Sequence, residues 1–432
     1  MIRPEIKTPL PGPKAEAQLK RGAKVLSTSY VRPYPFVADR GEGVWLFDVD
    51  GNRFLDFFAG IAVNTTGYGH PRVLAAVEAQ AKKLQHVCFS DFSHEPTLSL
   101  AERLVERLGG GYRVYFGNSG TEAVEAAMKL ARYHTRRPYF LAFLGAFHGR
   151  TYGSLSLTNS SARYREGFAP LVPGVVHVPF PSPTDPPFGV APERAAEAVL
   201  DHLDHLFKTK LPPSEVAAFF VEPIQGEGGY RFPAPGFFQA LKEKLDRHGI
   251  LLVADEIQTG AGRTGTFLAM EQEGVTPDVV LLAKGLASGY PLSAVLFRAE
   301  LSSWPPGAHG TTFGGHPVAA AAAHATLDLL ESGLMENAAR VGALLLEKLK
   351  SGLEGTPGVR EVRGRGLLLA IEYEDQQTRD AAVRRTFEKG VLTLGAGARA
   401  QRITPPLVLN EAEAELGAAL IVEAVREVSP GA

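Results

Sequence analysis

The chain has 432 residues, more than one simple core accommodates, and this length predicts two domains. Its composition is 45% hydrophobic and 21% charged, as in ordinary soluble globular proteins, and its formal net charge is −2. A charge so close to zero argues against a nucleic-acid interface or a polybasic membrane patch. Small molecules are therefore the expected partners.

The sequence indicates a cytoplasmic protein. Cys88 is its single cysteine, so no internal disulfide can form. Residues 1–7 lack the apolar core of a signal peptide, and no uninterrupted apolar stretch in the sequence is long enough to span a bilayer. We expect no membrane association.

The first 70 residues predict an arm followed by a small sheet. Residues 1–40 are rich in Pro, Lys and Arg and show little periodicity, which indicates an arm lying over another surface, such as a second subunit. The alternating runs Val44–Asp48 and Arg53–Phe57 flank Asp50-Gly51, a dipeptide typical of hairpin turns. The stretch Gly60–Pro71, with its glycines and a proline, predicts a loop.

The middle of the chain predicts a large α/β domain. Helical periodicity covers residues 73–84 and 98–108, and from residue 112 to 297 strand, loop and helix patterns alternate. This alternation is typical of a mainly parallel sheet with helices on both faces. Connecting helices are expected at 122–133 and 237–248. The predicted strands, seven in all, are Val114–Phe116, Tyr139–Phe143, Val175–Val178, Val216–Val221, Ile250–Ala254, Val279–Ala283 and Ala294–Phe297.

A second, smaller α/β unit is predicted beyond Pro317. It begins with an alanine-rich helix, has its clearest strand at Gly366–Tyr373 and ends with an amphipathic helix at Glu411–Val428. The predicted organisation is an N-terminal arm and small-domain segment at 1–70, a large domain at 71–325 and a C-terminal small domain at 326–432.

Two of the predicted strands end in an ionisable residue. Their continuous apolar runs are typical of strands buried on both faces of a parallel sheet, and they lead into Asp255 and Lys284. In open α/β sheets the carboxyl ends of the strands form the ligand crevice. A lone lysine is more often exposed at a strand end than catalytic, but a lysine and a carboxylate at this edge together predict a reactive site.

A phosphate site is expected where a strand leads into a helix at Asn118-Ser119-Gly120-Thr121-Glu122. Backbone N–H groups and hydroxyls there face the positive end of the helix. An ordinary capped helix explains the same residues. The turn has neither the Gly-Lys-Ser/Thr of a P-loop nor a complete Gly-x-Gly-x-x-Gly, which disfavours NTP and NAD.

Six blocks of sequence carry a family resemblance. They are Asn118-Ser119-Gly120-Thr121-Glu122-Ala123, Phe147-His148-Gly149-Arg150-Thr151, Glu222-Pro223-Ile224-Gln225-Gly226-Glu227-Gly228-Gly229, Asp255-Glu256-Ile257-Gln258-Thr259-Gly260 with Gly262-Arg263-Thr264-Gly265, Ala283-Lys284-Gly285, and Thr311-Thr312-Phe313-Gly314-Gly315. In this order they resemble the class III, or ω-amino-acid, aminotransferases, fold type I enzymes that use pyridoxal 5′-phosphate. The resemblance runs nearly end to end. It is greatest to 4-aminobutyrate aminotransferases, with ornithine aminotransferases and some amino-acid racemases close behind.

The resemblance implies a role for each cofactor-binding residue in the large domain. Lys284 would form the Schiff base with the cofactor and then shuttle the substrate proton, which requires a neutral amine. Asp255 would keep the pyridine nitrogen protonated, and Gln258 would hydrogen-bond the ring oxygen. Phe147 and Ile257 would sandwich the ring, although plain core packing explains both residues without the motif. Ser119, Gly120 and Thr121 would bind the phosphate, and no metal is implied.

The resemblance also implies a homodimer with shared active sites, or a higher oligomer, because Thr312 would reach the phosphate of the neighbouring subunit's cofactor. Ile61, Arg150, Glu227 and Arg402 would bind substrate. Arg402 would take the α-carboxylate of glutamate and Arg150 the distal one. With an ω-amine donor, Glu227 would pair with Arg402, because an unpaired buried guanidinium is costly.

The predicted activity is ping-pong transfer of an amino group from an ω-amino acid, such as 4-aminobutyrate, to 2-oxoglutarate. An ornithine or lysine ω-aminotransferase and an amino-acid racemase are alternatives with the same cofactor. A non-catalytic phosphate-ligand binding protein is a third, and it has no need of both Lys284 and Asp255. His148 is interpreted as structural. His316, where many relatives have asparagine, puts the local hydrogen bonding of its loop in question.

Overall fold

The computed structural model describes residues 2–429. Its strands are β1 Ala38–Glu42, β2 Trp45–Asp48, β3 Arg53–Asp56, β4 Tyr112–Gly117, β5 Tyr139–Phe143, β6 Val175–Val178, β7 Val216–Val221, β8 Leu251–Asp255, β9 Val279–Leu282, β10 Ser293–Arg298, β11 Val359–Arg365, β12 Leu368–Tyr373, β13 Val391–Leu392, β14 Leu394–Ala396 and β15 Ala400–Ile403. Its helices are α1 Pro13–Val25, α2 Ala59–Ala62, α3 Pro71–Lys83, α4 Glu95–Arg107, α5 Gly120–Thr135, α6 Tyr152–Leu157, α7 Ala195–Thr209, α8 Phe237–His248, α9 Ala269–Gln272, α10 Pro317–Leu329, α11 Met335–Leu353, α12 Gln376–Glu388 and α13 Glu411–Val428. None of these helices is long and apolar enough to cross a membrane.

The chain divides into two compact units. The first comprises the chain up to Pro71, the short segment Arg263–Gly265 and the chain from Glu331 onward. The second comprises Arg72–Gly262 and Thr266–Leu330.

The second unit is built on a seven-stranded sheet in the order β4-β10-β9-β8-β7-β5-β6. The strands from β9 to β6 pair in parallel, whereas β10 is antiparallel to both of its neighbours. The predicted α/β class with a mainly parallel sheet of seven strands is therefore confirmed.

Apolar residues on both faces explain why these strands are central. All six residues of β7 are buried. Phe219 lies in a core cluster with residues of α7 and α8, while Phe220 lies in a second cluster with residues of α5 on the other face. The continuous apolar run therefore fills two cores, as expected for a strand in the middle of a covered sheet.

The first unit contains two four-stranded sheets, ordered β1-β2-β3-β13 and β11-β12-β15-β14. The hairpin predicted around Asp50-Gly51 is present, with Trp45 paired to Leu55. Arg263 belongs to this unit because its buried guanidinium donates to the carbonyls of Leu367 and Pro405.

Helix α1 was not predicted from the sequence, because residues 1–40 show little periodicity. Only Ala15 of this helix is buried. Its first turn is instead held by Asp50, whose carboxylate oxygens each accept one hydrogen bond, from the N–H of Lys14 and of Ala15, both at 2.8 Å. Helix α1 is therefore stabilised by an acidic side chain, distant in the sequence, at its positive N-terminal end, and not by the packing of an apolar face.

Residues 59–62, which overlap the start of the predicted loop Gly60–Pro71, form one left-handed turn. The φ angles are 48° at Ala59, 64° at Gly60, 69° at Ile61 and 58° at Ala62. Buried Asp56 fixes its start, since Oδ1 accepts from the N–H of Phe58 at 2.9 Å and of Ala59 at 3.0 Å. Left-handed conformation is costly for residues with a side chain, so the turn persists because its surroundings impose it.

Candidate active site

The predicted catalytic residues lie at one edge of the seven-stranded sheet. Asp255 ends β8, and Lys284 comes two residues after the end of β9. These strands are parallel neighbours, with Asp255 paired to Leu281. Parallel neighbours end at the same edge, which is where ligands bind in open α/β sheets.

Asp255 is held by a buried histidine. Nδ1 of His148 donates to Oδ2 of Asp255 at 2.8 Å, and the N–H of Ile257 donates to Oδ1 at 3.1 Å. The two side chains are almost completely buried. Burial by itself lowers the pKa of His148, but the hydrogen bond and charge of Asp255, together with the charge of Glu222, outweigh burial and raise it above 6.5. Asp255 therefore has a fixed orientation, set by the hydrogen bonds from His148 and from the backbone of Ile257.

Gln258 is oriented by a buried tyrosine. The hydroxyl of Tyr230 donates to Oε1 of Gln258 at 2.7 Å. The amide of Gln258 passes close to Gly226, where an added Cβ would lie 2.6 Å from Nε2. A side chain at 226 would therefore displace the amide of Gln258. With its oxygen engaged, the amide of Gln258 has Nε2 to offer as a donor, as the predicted contact with a ring oxygen requires.

The N-terminus of α5 offers an anion site. Ser119 is the N-cap, and a capping box joins it to Glu122, whose Oε2 accepts from the N–H of Asn118 and of Ser119. Among the described residues, nothing accepts from the N–H of Gly120 or of Thr121. Two adjacent donors at a positive helix end suit a phosphate.

The hydroxyl of Thr121 has local partners. It lies 2.7 Å from the hydroxyl of Thr151 and 2.6 Å from that of Ser154. Thr151 and the N–H of Ser154 also donate to Oε1 of Glu125. Thr121 can thus offer its N–H to an anion while its side chain ties α5 to the start of α6.

Phe147 and Ile257, the predicted ring contacts, are both half-buried. Phe147 packs edge-on against Tyr164, with ring centroids 5.7 Å apart. Ile257 lies against the start of α5, so that a Cβ at Gly120 would come within 3.0 Å of it. Ile257 is thereby placed next to the helix end that would hold the phosphate.

Lys284 is half-buried and adopts an unusual backbone conformation, with φ at 34°. It opens a short turn, Lys284–Ala287, directly after an apolar strand. Backbone strain of this kind is concentrated at functional positions.

The other predicted site residues are distributed between the units. Arg150 and Glu227 lie in the second unit with Thr312, whose side chain is exposed. Ile61 and Arg402 lie in the first unit, Ile61 on the left-handed turn and Arg402 buried in β15.

The residues of the second unit fit pyridoxal 5′-phosphate. Free N–H groups at a helix end suit its phosphate, the carboxylate of Asp255 suits its ring nitrogen, and a half-buried lysine follows the neighbouring strand. In the described part of the chain, no three His, Cys, Asp or Glu side chains form a metal-binding group.

The comparisons with known proteins agree with this arrangement. Residues 26–425 match the family model "Aminotransferase class-III", and the chain belongs to this family. The predicted family and cofactor are therefore confirmed, and the protein is a pyridoxal-phosphate-dependent aminotransferase of fold type I.

Relatives in the family differ in activity. The chain is 39% identical to the alanine/serine racemase of Pyrococcus horikoshii, over 100% of this chain and 94% of that protein. It is also 39% identical to the 4-aminobutyrate aminotransferase GabT of Escherichia coli, over 95% of this chain and 98% of that protein. The structure of ornithine aminotransferase from Toxoplasma gondii, with partial occupancy of pyridoxal phosphate at its active site, matches with a TM-score of 0.85 and 33% identity, covering 96% of this chain and 94% of that chain.

Sequence reasoning missed the residues that support the predicted ones. The sequence interpretation of His148 as structural did not include its contact with Asp255. Tyr230 and Glu222 were given no role, although Glu222 lies within one of the family blocks. A buried polar residue at a strand end is the signal that could have identified Glu222.

Proposed function

We propose that this enzyme transfers the amino group of an ω-amino acid, such as 4-aminobutyrate, to 2-oxoglutarate by a ping-pong mechanism. The position of Arg150 carries the proposal. Its guanidinium lies 5.5 Å from the ring centroid of Phe147 and 5.0 Å from that of Tyr164, and the side chain is otherwise exposed. A cation beside the predicted ring-stacking residue suits the distal carboxylate of glutamate or the one carboxylate of 4-aminobutyrate.

The chain's own residues have distinct tasks in this reaction. When bound, the cofactor supplies an aldehyde that takes up the amino group and a ring that withdraws electrons from the reacting carbon. Lys284 Nζ moves the proton to and from that carbon. Asp255, supported by His148, holds the proton on the ring nitrogen, and the start of α5 anchors the phosphate.

The donor assay tests the reaction directly. Incubation with 4-aminobutyrate and 2-oxoglutarate should yield glutamate with loss of the donor. Ornithine, lysine and L-alanine are the competing substrates. Glutamate formed only from ornithine or lysine would move the assignment to that alternative, and D-alanine formed from L-alanine without any keto acid would establish a racemase.

The racemase is the second candidate because the Pyrococcus horikoshii relative matches the whole chain. Alanine and serine have no distal carboxylate, so their conversion would make no use of Arg150. A role in binding that carboxylate therefore separates the two activities.

Arg150→Gln tests this role, with Arg163→Gln as its matched control. Arg163 is also exposed and lies 5.9 Å from the ring centroid of Tyr164. We expect Arg150→Gln to lower kcat/KM for glutamate by roughly 10- to 100-fold, as for the loss of one charge-assisted hydrogen bond. Arg163→Gln should change kcat/KM for glutamate by less than about twofold. Equal effects of the two variants would remove Arg150 from substrate binding.

For Arg402 and Glu227 we propose that the arginine binds the α-carboxylate of glutamate. An ω-amine brings no carboxylate beside its reacting carbon, and the family resemblance implies that Glu227 takes the place of that carboxylate at Arg402. Glu227→Gln should therefore lower the single-turnover rate with 4-aminobutyrate more than with glutamate. Equal losses with both donors would exclude this role.

We also propose that the active unit is a homodimer with shared sites. The exposed position of Thr312 supports this, as does the exposure of more than half of the neighbouring Phe313 side chain. Mixed dimers of Thr312→Ala and Ser119→Ala subunits should contain one doubly impaired and one intact site. Two equally impaired sites would mean that Thr312 serves its own subunit.

A further inference from the structure

Glu222 joins two loops of the cofactor site through a single buried carboxylate. It follows β7 directly, and its side chain is only 6% exposed. Oε2 accepts from the N–H of Phe147 at 2.9 Å, and Oε1 accepts from the N–H of Gly226 at 3.0 Å. Each oxygen therefore holds a different loop.

Both loops carry predicted cofactor contacts. Phe147 is a ring-stacking candidate, and the next residue, His148, bonds to Asp255. Gly226 lies against Gln258, the candidate partner of the ring oxygen. A shift of either loop would therefore move a group that faces the cofactor ring.

We propose that anionic Glu222 is a positioning residue, which sets the loops of Phe147 and Gly226 at the spacing that the cofactor ring requires. This inference depends on the cofactor site and is independent of the amino donor. Glu222 acts through the residues that it holds and makes no direct contact with substrate.

The charges around Glu222 make this role sensitive to pH. Burial raises the pKa of Glu222 to about 7; the positive charge of His148 opposes this, and the negative charge of Asp255 adds to it. Above that pH both carboxylate oxygens of Glu222 accept hydrogen bonds, one from the N–H of Phe147 and one from the N–H of Gly226. Protonation turns one oxygen into a donor, which leaves either Phe147 or Gly226 with a weaker acceptor.

Glu222→Gln is the direct test, because it keeps the size of the side chain and replaces one acceptor by an NH₂ group. Glu256→Gln is the matched control. Glu256 is also buried and accepts from the N–H of Met270 at 2.8 Å and of Ala269 at 3.1 Å, and burial likewise raises its pKa to about 7. Its carboxylate is directed at α9 and bonds none of the cofactor candidates.

Three measurements need no substrate. The dissociation constant for pyridoxal phosphate should rise roughly tenfold or more in Glu222→Gln and less than about threefold in Glu256→Gln. In the cofactor-free proteins, amide exchange measured by mass spectrometry should become faster in the peptides that contain Phe147 and Gly226 for Glu222→Gln only. In the native enzyme, the visible circular dichroism of the bound cofactor should change between pH 6 and 8, and this change should be absent from Glu222→Gln.

Equal cofactor affinity and exchange in Glu222→Gln and the native protein would overturn the proposal. Equal weakening by both variants would also overturn it, since it would show a general loss of buried carboxylates. If Glu222→Gln does not fold, Glu222→Asp is used in the same measurements. The shorter side chain of aspartate keeps the charge but reaches only one of the two loops. Glu222→Asp with native affinity and native exchange in both peptides would refute the idea equally.

Discussion

Substitution of Ala62 by glycine tests whether the turn at residues 59–62 is left-handed and strained. Ala62 is buried and has a φ angle of 58°. An L-residue with a side chain costs about 1–2 kcal/mol in this conformation, and glycine does not. Loss of the buried methyl group costs about 0.8 kcal/mol, and the added flexibility of the unfolded chain costs about 0.5–1 kcal/mol. Gain and loss nearly cancel, so Ala62→Gly should change the free energy of unfolding by less than about 1 kcal/mol.

Ala382→Gly is the matched control. Ala382 is fully buried in the middle of α12, a right-handed helix of the same unit. There glycine loses the methyl contact and about 1 kcal/mol of helix propensity with no strain to relieve, which gives a loss of about 2 kcal/mol. The difference between the two variants should therefore be about 1–2 kcal/mol.

The assay is urea unfolding of the cofactor-free variants, followed by far-ultraviolet circular dichroism at one protein concentration. Cofactor-free protein is used because ligand binding would add its own stabilisation. Equal shifts of the unfolding midpoint, with unchanged slopes, would refute a strained left-handed turn.

Lys284→Ala should abolish turnover, and borohydride reduction of the native enzyme should place the cofactor on Lys284 in a peptide map; label on another lysine would contradict the assignment. Asp255→Asn should retain cofactor and lose roughly 100-fold or more in kcat, since an amide stabilises the ring nitrogen less; near-native turnover would exclude this role. His316 stacks on His86, with ring centroids 5.5 Å apart. The pKa of His316 is lowered below 6.5, mainly by burial and to a smaller extent by the charge of His86. The neutral imidazole of His316 contributes stability above pH 6.5, and this contribution is lost as the pH falls. The melting temperature of His316→Asn should therefore decrease less between pH 7 and 5 than that of the native protein. Equal decreases would argue against a contribution from His316.

Elements with strong local signals could be predicted from the sequence. Helices α8 and α13 have the predicted bounds, 237–248 and 411–428, because apolar periodicity and the residues at their ends act locally. Helix α1 and the left-handed turn could not be predicted. Asp50 bonds an N–H of α1 from 36 residues away, and no local pattern carries that information. The hydrogen bonding of the loop at His316 could not be predicted from the sequence either. Within the described residues, the ring of His316 stacks on His86 and forms no hydrogen bond.

For the site, strand periodicity predicted that buried strands lead into Asp255 and Lys284; Asp255 is the last residue of β8, Lys284 comes two residues after β9, and all but the first residue of β8 and all of β9 are buried. Their catalytic roles, and those of the substrate-binding residues, stay predictions. The contact of His148 with Asp255 joins residues 107 positions apart, and sequence spacing does not indicate it.

Strand order is the information that the sequence lacked. Phe147 and His148 follow β5, Glu222 follows β7 and Asp255 ends β8, and these three strands are neighbours in the sheet. Once the order is known, two carboxylates and an imidazole must lie together at one edge, where burial makes isolated charges costly. Asp255 meets part of that cost by accepting from Nδ1 of His148 at 2.8 Å, and the charges of Asp255 and Glu222 in turn raise the pKa of His148. Glu222→Gln removes one of these charges and should therefore lower the pKa of His148, and the hydrogen bond from His148 to Asp255 would carry that change to the residue that faces the ring nitrogen of the cofactor.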